Sequence, residues 1–187
     1  MPEEPPDDVL AYQHRLTQLN DADLDHDHAL LQQVLTDPDE LVSDAAITQH
    51  LDRVARERHT AAAFTAWVED HLDALPAGTH RRRRAEQWRT YKQLLDNPAQ
   101  PLDLDVVDDW TQHRLAEGSH EPSQLWDLSR AGRTRRIRAQ AHQRLLRVQH
   151  DNASTSTSTE VLQRLANTGL TRQIRTTAQQ RLDALSR

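Results

Sequence analysis

The chain has 187 residues, with 29 acids against 23 bases, no cysteine, four glycines and 4% aromatics. That length suits one domain or two small ones, and the lack of cysteine excludes disulfides, thiolate zinc sites and cysteine nucleophiles. Only 36% of residues are apolar, below the roughly 45–50% of ordinary globular chains (a figure that counts glycine), so a thin or elongated fold is expected rather than a thick core.

In chain order, residues 1–8 are expected to form a disordered acidic tail and residues 9–187 a single α-helical domain. Val9, Tyr12, Leu16 and Leu19 follow 3-4-3 spacing, the apolar stripe of one helix. Residues 25–36 predict a short second helix around Leu30, Leu31, Val34 and Leu35. Asp37-Pro38-Asp39-Glu40 predicts the next start, with Asp as cap and Pro in the first helical position. The stripe that follows is read as Leu41, Ala45, Ile47, Leu51 and Val54, and the one after as Phe64, Trp67, Val68, Leu72 and Leu75, halted by Pro76-Ala77-Gly78. A basic helix then runs from Thr79 with Trp88, Tyr91 and Leu95 on one face, and another carries Val106, Val107, Trp110 and Leu115. Two helical pairs complete the chain. Thr157-Ser158-Thr159-Glu160 between them has the spacing of a capping box. No segment alternates with period two, so no sheet is expected.

The last two pairs repeat each other. Leu125, Leu128, Gly132, Ile137, Arg138, Ala141, Leu145 and Val148 recur 37 residues later as Leu162, Leu165, Gly169, Ile174, Arg175, Ala178, Leu182 and Leu185. Such a period marks stacked helical hairpins, each burying its stripe only against its neighbours. A glycine of positive φ is expected at each bend. The series Ile137-Arg138, Ala141, Leu145, Val148 and its copy resemble HEAT-type repeats, best at residues 122–149 and 159–186. Asp37 to Ala46 looks like the same family's turn, and a degenerate copy falls on Gly78, Arg83, Arg84 and Tyr91. The helix near Val106 to Leu115 and the first helix fall outside the register. The resemblance implies an all-α, HEAT-like stack of about ten helices.

The net charge of −6 is unevenly spread: residues 1–78 hold 17 acids and 4 bases, whereas residues 79–187 hold 12 acids and 19 bases. Such polarity hints at a polyanionic partner or at head-to-tail association. Lys92 is the only lysine, a bias that fits a high-GC genome or a salt-rich cytoplasm. Arginine clusters open the second helices of the hairpins: Arg81, Arg82, Arg83 and Arg84; Arg133, Arg135, Arg136 and Arg138; Arg172 and Arg175. Aligned by stacking, they form a candidate face for an acidic protein or for backbone phosphates. Against that, the Arg of each Ile-Arg pair is commonly structural in HEAT-type repeats, and the four-Arg run could pair with the acidic part.

Other constellations point less far. Trp67, Trp88, Tyr91, Trp110 and Trp126 fit core stripes or a base-stacking groove. Asp25-His26-Asp27-His28 is a compact ligand-like cluster, but histidines two apart on a helix diverge. Asp109 and His113 suit a surface pair. No phosphate-loop, dinucleotide or zinc-protease motif is present, so no cofactor, metal or catalytic residue is assigned. The segments Arg83 to Leu95, Asp105 to Leu115 and Thr134 to Val148 faintly resemble the core-binding domain of tyrosine recombinases, which would imply a DNA-binding module. No apolar run approaches the roughly 20 residues of a membrane span, and the acidic start is unlike a secretory signal. A cytoplasmic, non-enzymatic scaffold is expected. The alternatives are a self-assembling subunit and a nucleic-acid-processing enzyme like the helical-repeat DNA glycosylases of the AlkD type.

Overall fold

The computed structural model describes residues 6–21, 27–36, 39–58, 60–71 and 75–186. Among them are ten α-helices and no strand, arranged in two compact units, residues 1–96 and 97–187. No helix is long and apolar enough to cross a membrane among the described residues.

The first unit holds α1 (Asp7–Asp21), α2 (His28–Leu35), α3 (Glu40–Glu57), α4 (Ala61–His71) and α5 (His80–Asp96). Helix α3 is its axis, packing against α1, α2 and α5, while α4 packs on α5. The core draws Leu19, Leu31, Ile47, Leu51, Phe64 and Leu75 fully out of water, each contributing roughly 1.5–3 kcal/mol of transfer free energy. Three expectations are corrected here. Asp7 and Asp8 open α1 instead of lying in a tail, whereas residues 1–5 lie outside the described residues. The cap of α3 is Asp39, whose carboxylate accepts from the Val42 N–H at 3.1 Å; residues 37–38 lie outside the described set. The stripe of α3 is also shifted. Leu41 is 85% exposed, and Val42 and Ala46 face inward with Ile47, Leu51 and Val54.

The second unit holds α6 (Asp109–Gly118), α7 (Pro122–Ala131), α8 (Arg135–Thr155), α9 (Thr159–Thr168) and α10 (Arg172–Leu185). The pairs α7–α8 and α9–α10 are closely packed hairpins, and α8 also packs on α6, α9 and α10. The 37-residue correspondence extends to capping and bracing. Thr134 and Thr171 cap α8 and α10 by accepting from Ile137 and Ile174. Arg138 and Arg175 donate back to the carbonyls of Gly132 and Gly169 at 2.7 and 2.6 Å. Arg144 and Arg181 donate to the carbonyls of Ser119 and Ser156. Helix α6 joins the register too: Gln112 accepts from the Arg133 N–H as Gln149 accepts from the Leu170 N–H, and Ala116 and Ala153 are both buried.

The glycines at the bends act differently from expectation. Gly132 and Gly169 have φ of −53° and −55°, ordinary values for any residue. Glycine is needed because the chain passes too close for a Cβ, which would meet the Leu128 carbonyl oxygen at 2.5 Å and Ile137 Cγ2 at 2.8 Å. At Gly169 the same approaches are 2.6 and 2.8 Å. Positive φ occurs at Gly78 instead, at 79°. The cap of α9 is Ser158, accepting from Val161, one residue beyond the expected Thr157.

Candidate functional site

The arginine clusters divide by what their side chains touch. In the first unit α5 lies along α3, so its cations meet the acids of that helix. Arg81 is buried with Nε 3.4 Å from Asp44, and Arg84 lies 3.7 Å from Asp52, which also accepts from the Trp88 indole at 2.6 Å. Arg82 pairs with Glu86 and donates to the Leu75 carbonyl. Arg83 is exposed and has no partner among the described residues. The break in charge at residue 78 is therefore not a break in structure. The first unit, residues 1–96, has 19 acids and 10 bases, and the second has 10 acids and 13 bases.

In the second unit Arg133 donates to the carbonyls of Leu104, Asp105 and Val107 and pairs with Asp109 at 3.1 Å, bracing the segment before α6. Arg138 and Arg175 brace the bends, as above. Arg135 and Arg136 in the first turn of α8, and Arg172 in that of α10, are exposed without a partner among the described residues. Arg135 and Arg172 hold equivalent places, 37 residues apart. Neither first turn contains an acid. His113 pairs with Glu117 rather than with Asp109.

The aromatics also divide. Trp67 and Trp88 are buried, whereas Trp126 is 43% exposed, with the Arg130 guanidinium over its ring at 5.6 Å. Trp126 flanks an open cleft of about 610 Å³ whose walls include Asp127, Gln149, Asn152, Val161 and Arg164. No protein-family model matches the chain, and neither a curated protein nor a solved structure matches it.

The least foreseen cluster surrounds Asp27, which directly precedes α2 and is 1% exposed. Its carboxylate accepts from His50 Nε2 at 2.7 Å and from the Trp67 indole at 3.2 Å, and lies 3.0 Å from His71 Nε2. Arg53 donates to His50 Nδ1 at 3.2 Å and to the Leu19 carbonyl at 2.8 Å. That bond leaves the hydrogen of His50 on Nε2, facing Asp27. His71 Nδ1 faces the Trp67 carbonyl at 2.7 Å, while Nε2 lies at ion-pair distance from Asp27 but off the line of a hydrogen bond, so an acceptor stands near each nitrogen, an arrangement that favours the imidazolium. Its ring stacks on Trp67 with centroids 4.4 Å apart. Burial alone would raise the Asp27 carboxyl, but the hydrogen bond from His50 and the adjacent His71 with its charge outweigh it and hold the group well below the carboxylate range. Burial likewise works to lower His71, and is outweighed by Asp27, the Trp67 carbonyl and the charge of Asp70, which leave it above its ordinary 6.5. Burial pushes the ammonium of Lys92 down; it donates to the Arg58 carbonyl.

Of the sequence cluster 25–28, residues 25 and 26 lie outside the described residues. Asp27 is spent on protein donors, and no group of three His, Asp and Glu is placed to hold a metal ion among the described residues. The signal for this cluster was present in the sequence. His50 falls beside Ile47, Leu51 and Val54, and His71 beside Phe64, Trp67 and Val68, each at core spacing on its helix.

Proposed function

We propose that the chain is a non-enzymatic binding scaffold whose second unit, a HEAT-like stack of helical hairpins, presents arginines to an acidic protein segment. The observation that carries this reading is the exposed, unpartnered state of Arg135, Arg136 and Arg172 beside arginines that brace the fold. A cation in the first turn of a helix opposes the dipole, at a cost of about 0.3–1 kcal/mol at low salt. A carboxylate bound there relieves that cost and accepts bidentate bonds from guanidinium. The capping and bracing bonds that recur at 37 residues support the repeat assignment.

An acidic segment fits better than a nucleic acid. The second unit has only three more bases than acids, and five of its arginines are committed to backbone carbonyls. A duplex is held by many phosphate contacts. Head-to-tail assembly by charge has less support, because Arg81 and Arg84 meet Asp44 and Asp52 of their own chain. The test is titration of the full chain with a poly-glutamate peptide and with mixed-sequence duplex DNA, each at low and high salt. The peptide is expected to bind, to weaken with salt and to be lost in the triple variant Arg135→Ala, Arg136→Ala, Arg172→Ala. No peptide binding, or equal binding by the triple variant, overturns the reading. Tighter binding of DNA than of peptide replaces it with the nucleic-acid alternative.

A further inference from the structure

The Asp27 cluster joins three separate elements through one carboxylate: the segment entering α2, His50 of α3, and Trp67 and His71 of α4. From the geometry we infer that the contact between Asp27 and His71 is a pH-sensitive clamp, which fixes the start of α2 against α3 and α4 and lets go as pH rises.

His71 sits between two acceptors, the Trp67 carbonyl and Asp27. With one proton removed, either tautomer turns a lone pair toward an oxygen about 3 Å away, in a site closed to water. Among the described residues, each packed element contributes to the surroundings of His71. Segment 27–28 offers Asp27 and the His28 ring, at 5.1 Å. Helix α3 offers His50, itself held by Arg53, and α4 offers Trp67 and Asp70. Helix α1 reaches the cluster through the Leu19 carbonyl, which Arg53 occupies. Helix α5 presents Lys92 to the Phe64 ring, which stacks on Trp67. Among the described residues, Asp27 contacts His71 directly and the charge of Asp70 acts on it from its own helix.

The sign follows from linkage. A histidine raised in the folded state contributes fully below its unfolded value of about 6.5, and its contribution is lost as pH rises through the folded value. Between those two values the folding equilibrium of the clamp weakens by up to about tenfold per pH unit. Asp27 sets the acid side: held low, its contribution is present above the ordinary 3.8 and disappears as pH falls through the folded value. The clamp is thus fully closed between about 3.8 and 6.5 and weakens as pH rises above 6.5.

Two measurements on the full chain test this. The first is a histidine ring NMR titration of the wild type, in which the His71 resonance is expected to titrate above 6.5. Titration at or below that value overturns the inference even if no variant folds. The second is amide hydrogen exchange at pH 6 and pH 8.5, corrected for intrinsic rates, on the wild type and His71→Gln. Protection in residues 28–71 is expected to fall at pH 8.5 by up to tenfold per unit above 6.5, with residues 109–185 unchanged. In His71→Gln, whose amide donates to Asp27 without titrating, that pH response is expected to vanish. A wild-type response in the variant, or equal losses in both units, overturns the clamp.

Discussion

The two units bury different kinds of polar group. In the first, the buried polar side chains include Asp27, His50, His71, Arg81 and Lys92; in the second they are Thr111, Gln112, Ser119 and Gln124, all uncharged. The first unit therefore joins its helices by matching charges across them, with Asp27 on two histidines and Arg81 on Asp44. The second repeats a scheme without matched charge pairs, in which hydroxyl caps, glutamines, arginines on backbone carbonyls and glycine contacts recur 37 residues apart. The contrast teaches where each unit is vulnerable. A charge matched once, by a distant residue, has no substitute when its partner goes. Small capping bonds shared between copies fail one at a time.

The largest effect expected from this contrast lies at Asp27. Replacing it by Ala strands a buried imidazolium and leaves the Trp67 indole without its acceptor. Removing one partner of a buried pair costs about 3–5 kcal/mol, to be read as a drop in the urea midpoint of the transition that exposes Trp67. The double variant Asp27→Asn, His71→Gln restores a neutral hydrogen-bonded pair and is expected to recover much of the loss. Additive losses in the double variant would mean that the cluster is ordinary packing.

In the second unit, Gly132→Ala and Gly169→Ala place a Cβ on a carbonyl oxygen and an isoleucine methyl. Overpacking of this kind costs about 1–3 kcal/mol. The two variants are expected to destabilise by similar amounts, since their surroundings match to 0.2 Å. A large difference between them would break the equivalence of the two hairpins. The next effect is smaller. Arg138→Ala removes a charge-assisted bond to the Gly132 carbonyl from a half-buried side chain, at about 1 kcal/mol by thermal unfolding.

Legibility in the sequence follows the same division. The hairpins of the second unit could be read because their contacts are local and periodic. Leu125, Leu128, Ile137 and Ala141 are all buried, as are their copies. What escaped there was α6, whose apolar residues do not match the pattern although Gln112 and Ala116 stand 37 residues before Gln149 and Ala153. A register carried by a glutamine and an alanine has no hydrophobic signal. In the first unit the helices were legible and their pairing was not. Asp27 meets residues 23, 40 and 44 positions away, and no period connects such positions. The charge polarity misled for a related reason: counting along the chain separated α5 from α3, although folding places their charges together.

The smallest expected effect separates binding from bracing. Arg135 and Arg172 are exposed, lack partners among the described residues and stand where the helix dipole is positive. Removing either cation by Ala costs no contact and relieves the dipole, and alanine has the highest helix propensity. Stability is therefore expected to stay within about 0.5 kcal/mol of the wild type or to rise by a few tenths, measured by urea unfolding beside Arg138→Ala. Arg138 and Arg175 share the same first turns, so dipole and salt effects are common to both sets. The difference between the two sets then reports bracing alone. If Arg135→Ala and Arg172→Ala destabilise as much as Arg138→Ala, these arginines hold the fold together and the exposed cationic face loses its support. If they leave stability intact while weakening poly-glutamate binding, the arginines of each first turn divide into one that closes the bend and those that meet the partner.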